Sequence, residues 1–217
     1  MKTDHDIKAD VEDELEWDPD VDDKNIAVSV KDGTVQLSGY TSSYSDKFEA
    51  EAAAKRVVGV AGVANDIEVR LPNLDQRPDP DIARDAVDAI ARVLPDQAKN
   101  VMVTVQGGQL SLEGSVEWFS QKERAESAVR WLRGVKGVAN SIQIKPSSKP
   151  GDLKSKIQSA FMRNAMIDAS RISVETSGGT VTLKGSVKTW SEREAAEHVA
   201  WGAPGVFWVD DRISIAA

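Results

Sequence analysis

From Asp6 to Trp17 the chain reads DIKADVEDELEW, with apolar side chains at Ile7, Val11 and Leu15 and mostly polar residues between them. A four-residue spacing places these three on one stripe of a helix, and that stripe must be buried. The pattern then changes period. IAVSV (26–30) and TVQLSG (34–39) alternate apolar and polar positions on either side of a Gly-containing turn, which predicts a β-hairpin with one wet face. Ser45 stands where a helix N-cap is wanted, and an alanine-rich helix follows it. The glycines of VVGVAGV suit a left-handed helix stop, and DIEV (66–69) reads as a last short strand. The order is αββαβ.

The same pattern occurs three times. DGTVQLSGYTSSYSDKFEAE, GGQLSLEGSVEWFSQKERAE and GGTVTLKGSVKTWSEREAAE align without gaps at offsets of 75 and 71 residues. Ile7, Ile82 and Leu153 lie 26 residues before Gly33, Gly108 and Gly179, and Ile67, Ile142 and Ile213 lie 34 residues after them. Ile82, Ala86 and Ile90 form the first-helix stripe of the second unit, and Leu153, Ile157 and Phe161 that of the third. Ser120 and Ser191 repeat the expected cap; Glu123 and Glu194 complete a capping box where the first unit has Phe48. The expected fold class is α+β: three tandem units at 3–71, 79–146 and 150–217, each a three-stranded mixed sheet covered on one face by two helices.

These phrases carry a resemblance. DGTVQLSG, GGQLSLEG and GGTVTLKG, the Ala-Glu pair in the second helix, and the endings GVAGVANDIEV and GVKGVANSIQI resemble the BON family, the bacterial osmotic-stress and nodulation module also called the transport-associated domain. The third unit departs from the pattern at Ala203, Pro204, Phe207 and Trp208. The resemblance implies a bacterial, stress-related binding or scaffold role without catalysis. It also implies two kinds of ligand. Some members bind anionic phospholipid through the first helix of a BON domain, and one cytoplasmic member binds potassium but pairs BON with a second module that these 217 residues lack.

The residues themselves offer little chemistry. Gly39, Gly114 and Gly185 end the second strand, where a close backbone approach suits glycine, and neither a Lys-Ser/Thr nor a G-x-G-x-x-G follows to make a phosphate loop. Tyr44, Phe119 and Trp190 precede the serines and are expected to pack where the helix begins. Without cysteine, thiol nucleophiles, disulfides and thiolate metal sites are excluded. His5 and His198 match no histidine in the other units, so no triad or zinc set converges. No catalytic, cofactor-binding or metal-ligating residue is assigned.

Charge breaks the symmetry. The chain carries a net charge of −8, and residues 1–71 hold 17 Asp and Glu against 8 Lys and Arg, whereas the other two units are balanced. The run DVEDELEWDPDVDD (10–23) lacks the order of a calcium loop and reads as solvated acidic surface, with a cation as the alternative occupant. Nucleic acid is excluded as a partner, since a phosphate footprint needs a basic patch. The first helix of the third unit, LKSKIQSAFMRNAM, is the exception to the acidity. Lys154, Lys156 and Arg163, with Phe161, Met162 and Met166 as apolar contacts, make it the candidate for anionic phospholipid, while Phe161 also suits the core.

Trp17, Trp118, Trp131, Trp201 and Trp208 occupy unshared positions, available for contacts between units or with another protein, and Trp118 is the candidate partner contact. No apolar h-region opens the chain and no segment approaches a transmembrane span of about 18 residues, so the expected location is cytoplasmic, with a peripheral membrane association for the third unit. Linkers LPNLDQRPDP and KPSSKPG allow close packing of the units. Two readings result: peripheral lipid binding, or protein interaction and cation sensing (potassium or other) without lipid.

Overall fold

The computed structural model describes residues 2–146 and 152–215. Positions 147–151 of the second linker, and the expected limits 150 and 217 of the third unit, lie outside the described residues. The first repeat comprises α1 (Asp4–Trp17), β1 (Ile26–Lys31), β2 (Thr34–Thr41), α2 (Tyr44–Arg56), β3 (Gly62–Asn65) and β4 (Glu68–Val69). The second has α3 (Asp79–Val93), β5 (Val101–Gln106), β6 (Gln109–Val116), α4 (Phe119–Arg130), β7 (Gly137–Asn140) and β8 (Gln143–Ile144). The third has α5 (Leu153–Arg163), β9 (Ile172–Ser177), β10 (Thr180–Val187), α6 (Trp190–Trp201) and β11 (Trp208–Ile215). A single 3₁₀ turn precedes the hairpin in each.

The middle strand of each sheet pairs antiparallel on one side and parallel on the other, so the sheets are mixed as expected. In the first, Ile26 faces Gly39 and Lys31 faces Thr34 across the hairpin, while Thr34 lies beside Gly62 in parallel register. The other two sheets repeat this order. Each repeat buries its own core. Ile7, Val11 and Leu15 of α1 meet Val35 and Leu37 of β2 and Ala50, Ala53 and Ala54 of α2. Corresponding clusters centre on Leu110 and Leu112 in the second repeat and on Phe161 and Leu183 in the third. The four-residue stripe and the two-residue alternation thus bury the faces that their periods require.

The strand-end glycines have a steric cause. At Gly39, Gly114 and Gly185, φ is +110°, +123° and +141°. A Cβ there would lie 2.0, 1.9 and 2.0 Å from the carbonyl oxygens of Asn25, Asn100 and Arg171, in the turn that leads into the hairpin. Only glycine lets these chains cross. The hairpin turn is pinned from the other side: Asp4 accepts from the backbone N–H groups of Asp32 and Gly33 at 2.8 and 2.9 Å, and Asp79 from Gly107 and Gly108 at 2.7 and 3.0 Å.

Two expectations need correction. The second helices begin two residues earlier than the serines suggest. Ser43 caps α2 by accepting from the Asp46 N–H, Thr189 caps α6 by accepting from the Glu192 N–H, and α4 starts from Trp118, whose N–H donates to the side chain of Gln121. Tyr44, Phe119 and Trp190 are therefore the first helical residues, and Glu123 and Glu194 are freed from capping. The last strand also begins earlier. It is broken in the first two repeats, β3 and β4 being separated by Asp66 and Ile67, but runs unbroken through β11.

The break has a polar staple. Asn65 donates to the Lys47 carbonyl (3.0 Å) and to Glu51 (3.1 Å), and its oxygen accepts from the Ile67 N–H. Asn140 makes the same three bonds in the second repeat. In the third, Asp211 stands in that place and accepts from Arg193 at 2.6 Å, so amide and carbonyl have been exchanged for an ion pair.

Candidate functional site

Two kinds of surface lie outside the three cores. One is the set of seams between repeats. The other is a groove, present in each repeat, between the first helix and the end of the second.

The seams follow one rule. The first two turns of each second helix reach the next repeat, at or near the last turn of its second helix, and the third repeat reaches back to the first. Tyr44 packs on the core of the second repeat, where burial raises its phenol pKa and its oxygen accepts from the Val138 N–H. One turn along α2, the ring of Phe48 lies 3.3 Å from the guanidinium carbon of Arg130. Phe119 stacks on Trp201 at 4.9 Å between centroids and 10° between planes, and Glu123 lies 3.4 Å from His198. Trp190 lies 5.5 Å from the Lys55 ammonium, and Glu194 pairs with Lys55 at 3.2 Å. Lys55, Arg130 and Trp201 occupy equivalent repeat positions. Tyr44, Phe119 and Trp190 are thus contacts between repeats, not local packing at the helix start.

Where these helices meet, a cleft of about 590 Å³ is lined by Phe48, Phe119, Glu126, Arg130, Glu197 and Trp201 among others. Its rings and carboxylates are already engaged. Arg130 covers Phe48, Trp201 covers Phe119, and the indole N–H of Trp201 donates to Glu197 at 3.2 Å.

The grooves share a place in the repeat and differ in charge. In the first repeat, Asp10, Asp13, Glu14 and Trp17 line it; in the second, Asp85, Asp88 and Arg92. In the third, a groove of about 490 Å³ runs between Ser155, Lys156, Ile157, Ser159, Ala160 and Arg163 on one side and Val199, Gly202, Ala203 and Pro204 on the other. Lys156 and Arg163 take the repeat positions of Asp10 and Trp17. Seven residues apart, they project from one line of α5 into solvent.

The structure separates the candidate lipid contacts. Lys154, Lys156 and Arg163 are exposed, as are Met162 (73%) and Met166 (63%), the latter just beyond the helix. Phe161 is a correction. At 1% exposure it points with Leu153 and Ile157 into the core, because the four-residue stripe commits it to its own sheet. Lys154 lies to the side of the line, near enough for its charge to act on Glu175 of β9. Trp118 is 37% exposed, whereas Trp17, Trp131 and Trp208 are exposed by 84, 60 and 59%. Burial singles out Trp17, which the repeat alignment alone did not. Among the described residues, no group of three or more His, Asp or Glu side chains could hold a metal ion, and no helix is long and apolar enough to cross a membrane.

Three αββαβ units, each with its own sheet and core and joined through their second helices, define a protein built of repeated α+β modules. The chain belongs to the BON domain family, which matches residues 3–70, 78–146 and 151–217. Osmotically-inducible protein Y of Escherichia coli (strain K12) is 31% identical over 127 residues, covering 56% of this chain and 62% of that protein. The match therefore leaves more than a third of that relative uncovered. Two structures of CdsD, a structural protein of the type III secretion system of Chlamydia trachomatis, align at 12% identity over 96 and 100% of this chain, and over 91 and 100% of theirs. Their TM-scores, 0.24 and 0.26, are too low to carry an argument.

Proposed function

We propose that this chain is a non-catalytic, stress-related BON array whose third repeat associates peripherally with anionic phospholipid. The observation that carries this reading is α5, where Lys156 and Arg163 border a groove that is acidic in the first repeat and Met162 is exposed on the adjoining helix face. No carboxylate pairs with either cation among the described residues. A helix with cations beside exposed apolar side chains is suited to a negatively charged membrane surface, with the thioethers entering the acyl boundary and the charges remaining at the phosphates. The first repeat, rich in carboxylates, would face away from that surface. The link to osmotic stress rests on family membership and on the name of the Escherichia coli relative.

Flotation with vesicles containing phosphatidylglycerol, beside purely zwitterionic vesicles, tests the proposal. Binding is expected only to the anionic vesicles, weakening as salt is added and lost in the Lys154→Ala/Lys156→Ala/Arg163→Ala variant. Absence of binding at low salt, or equal binding by the variant, overturns it.

A further inference from the structure

Methionine is ordinarily a core residue that fills gaps between packed elements. Among the described residues of this chain the reverse holds. Met102, Met162 and Met166 are exposed by 58, 73 and 63%, and none belongs to any of the three core clusters. The last two lie four residues apart in the third repeat, Met162 in the final turn of α5 and Met166 in the turn that follows. The Met166 N–H donates to the side chain of Asn164 at 2.9 Å, and Phe161 before this turn and Ile167 after it are buried in the core. Met166 is therefore kept at the surface beside the helix end.

The fold requires neither thioether. The repeat position of Met162 holds Glu16 in the first repeat and Ala91 in the second, and that of Met166 holds Asp20 and Pro95, all four exposed. Acid, methyl and proline ring thus serve equally well in the same architecture. At about 100° per residue, Met162 lies roughly 80° around α5 from Lys154 and roughly 100° from Arg163 in the opposite sense. It stands between cations, so that insertion of its side chain brings charges on both flanks to the level of lipid phosphates.

A thioether is also an apolar group that a two-electron oxidant makes polar. Hydrogen peroxide, or a hydroperoxide of its class, delivers one oxygen: the sulfur lone pair forms the S–O bond, the O–O bond breaks, and water leaves. Sulfur loses two electrons and the peroxide gains them. A sulfoxide reductase with a thiol donor reverses the step, the oxygen leaving as water while two thiols become a disulfide. Since neither sulfur is packed in a core, the change is confined to the surface.

We propose that Met162 and Met166 form a reversible oxidation site that controls the membrane contact of the third repeat: as thioethers they insert, and as sulfoxides they release α5 from lipid while all three repeats stay folded. The inference rests on the lipid reading of α5 and adds a sensitivity that positive charge alone does not confer.

Flotation of the full chain with vesicles containing phosphatidylglycerol, before and after hydrogen peroxide, tests it, with peptide mass spectrometry locating the added oxygens. Apparent affinity is expected to fall about tenfold or more once both residues are sulfoxides, and to return after treatment with sulfoxide reductase and dithiothreitol. Circular dichroism and melting temperature should not change. Met162→Leu/Met166→Leu should bind equally before and after peroxide although its Met102 is still oxidised, which makes Met102 the internal control. Wild-type protein that carries both sulfoxides and floats as before overturns the inference and leaves the lipid reading standing. Loss of binding by the oxidised leucine variant, or unfolding of the oxidised chain, overturns it as well. Absence of flotation by the untreated protein overturns the lipid reading itself, and this inference with it.

Discussion

Gly114 shows how narrowly a single position can be specified. Alanine there would set a methyl carbon 1.9 Å from the Asn100 carbonyl oxygen at a φ of +123°. Backbone must move to admit it. Gly114→Ala is expected to cost the second repeat about 3 kcal/mol, read as a lower denaturant midpoint with unchanged slope for that transition. Asp18 responds to pH. Burial pushes its carboxyl up, but hydrogen bonds from Arg56 at 2.5 Å and from the Asp20 N–H outweigh burial and hold its pKa below the usual value. A carboxyl with a lowered folded-state pKa adds stability that is fully present above the unfolded value, about 3.9. That stability is lost as pH falls through the folded value. Thermal melts between pH 7 and about pH 2 should show the first repeat weakening below about pH 4, and Asp18→Asn should flatten that part of the profile.

At the scale of elements, the staple between the second helix and the last strand predicts a compensated exchange. Asn140→Asp would turn a donor that serves Glu126 and the Lys122 carbonyl into a carboxylate facing both, at a cost of about 2 kcal/mol. Adding Lys122→Arg recreates the pair that Arg193 and Asp211 form in the third repeat and should recover part of the loss, as measured by urea unfolding. Much of this level was legible in the sequence. First helices and hairpins declare themselves because one face of each is buried and the other wet, so their periods are strict. The helix starts were not, because Ser43 and Thr189 cap α2 and α6 with the same chemistry that Ser45 and Ser191 offered two residues later. The last strand began at Gly62 and Gly137, where small residues carry no alternation. Asn65 and Asn140 share a repeat position, but their bonds to the Lys47 and Lys122 carbonyls join residues 18 apart in sequence and show only in the structure.

The molecule as a whole was the least legible. Repeat alignment records what the units share, and it identified the three cores. The seams depend on what the units do not share: Phe48, Glu123 and Glu194 at one position, and Lys55, Arg130 and Trp201 at another, each chosen for a neighbour that alignment does not reveal. The basic helix α5 was visible from composition, but the inward commitment of Phe161 and the matching acidic groove of the first repeat needed coordinates.

The head-to-tail seams also fix a number. Each repeat presents one aromatic knob and receives one, so a linear pair would end with an unused knob and an empty receptor. Three copies use both at every position. A chain that gained a fourth copy by duplication would have to break one existing seam to admit it, which makes the count of modules a property of the geometry and not only of the gene.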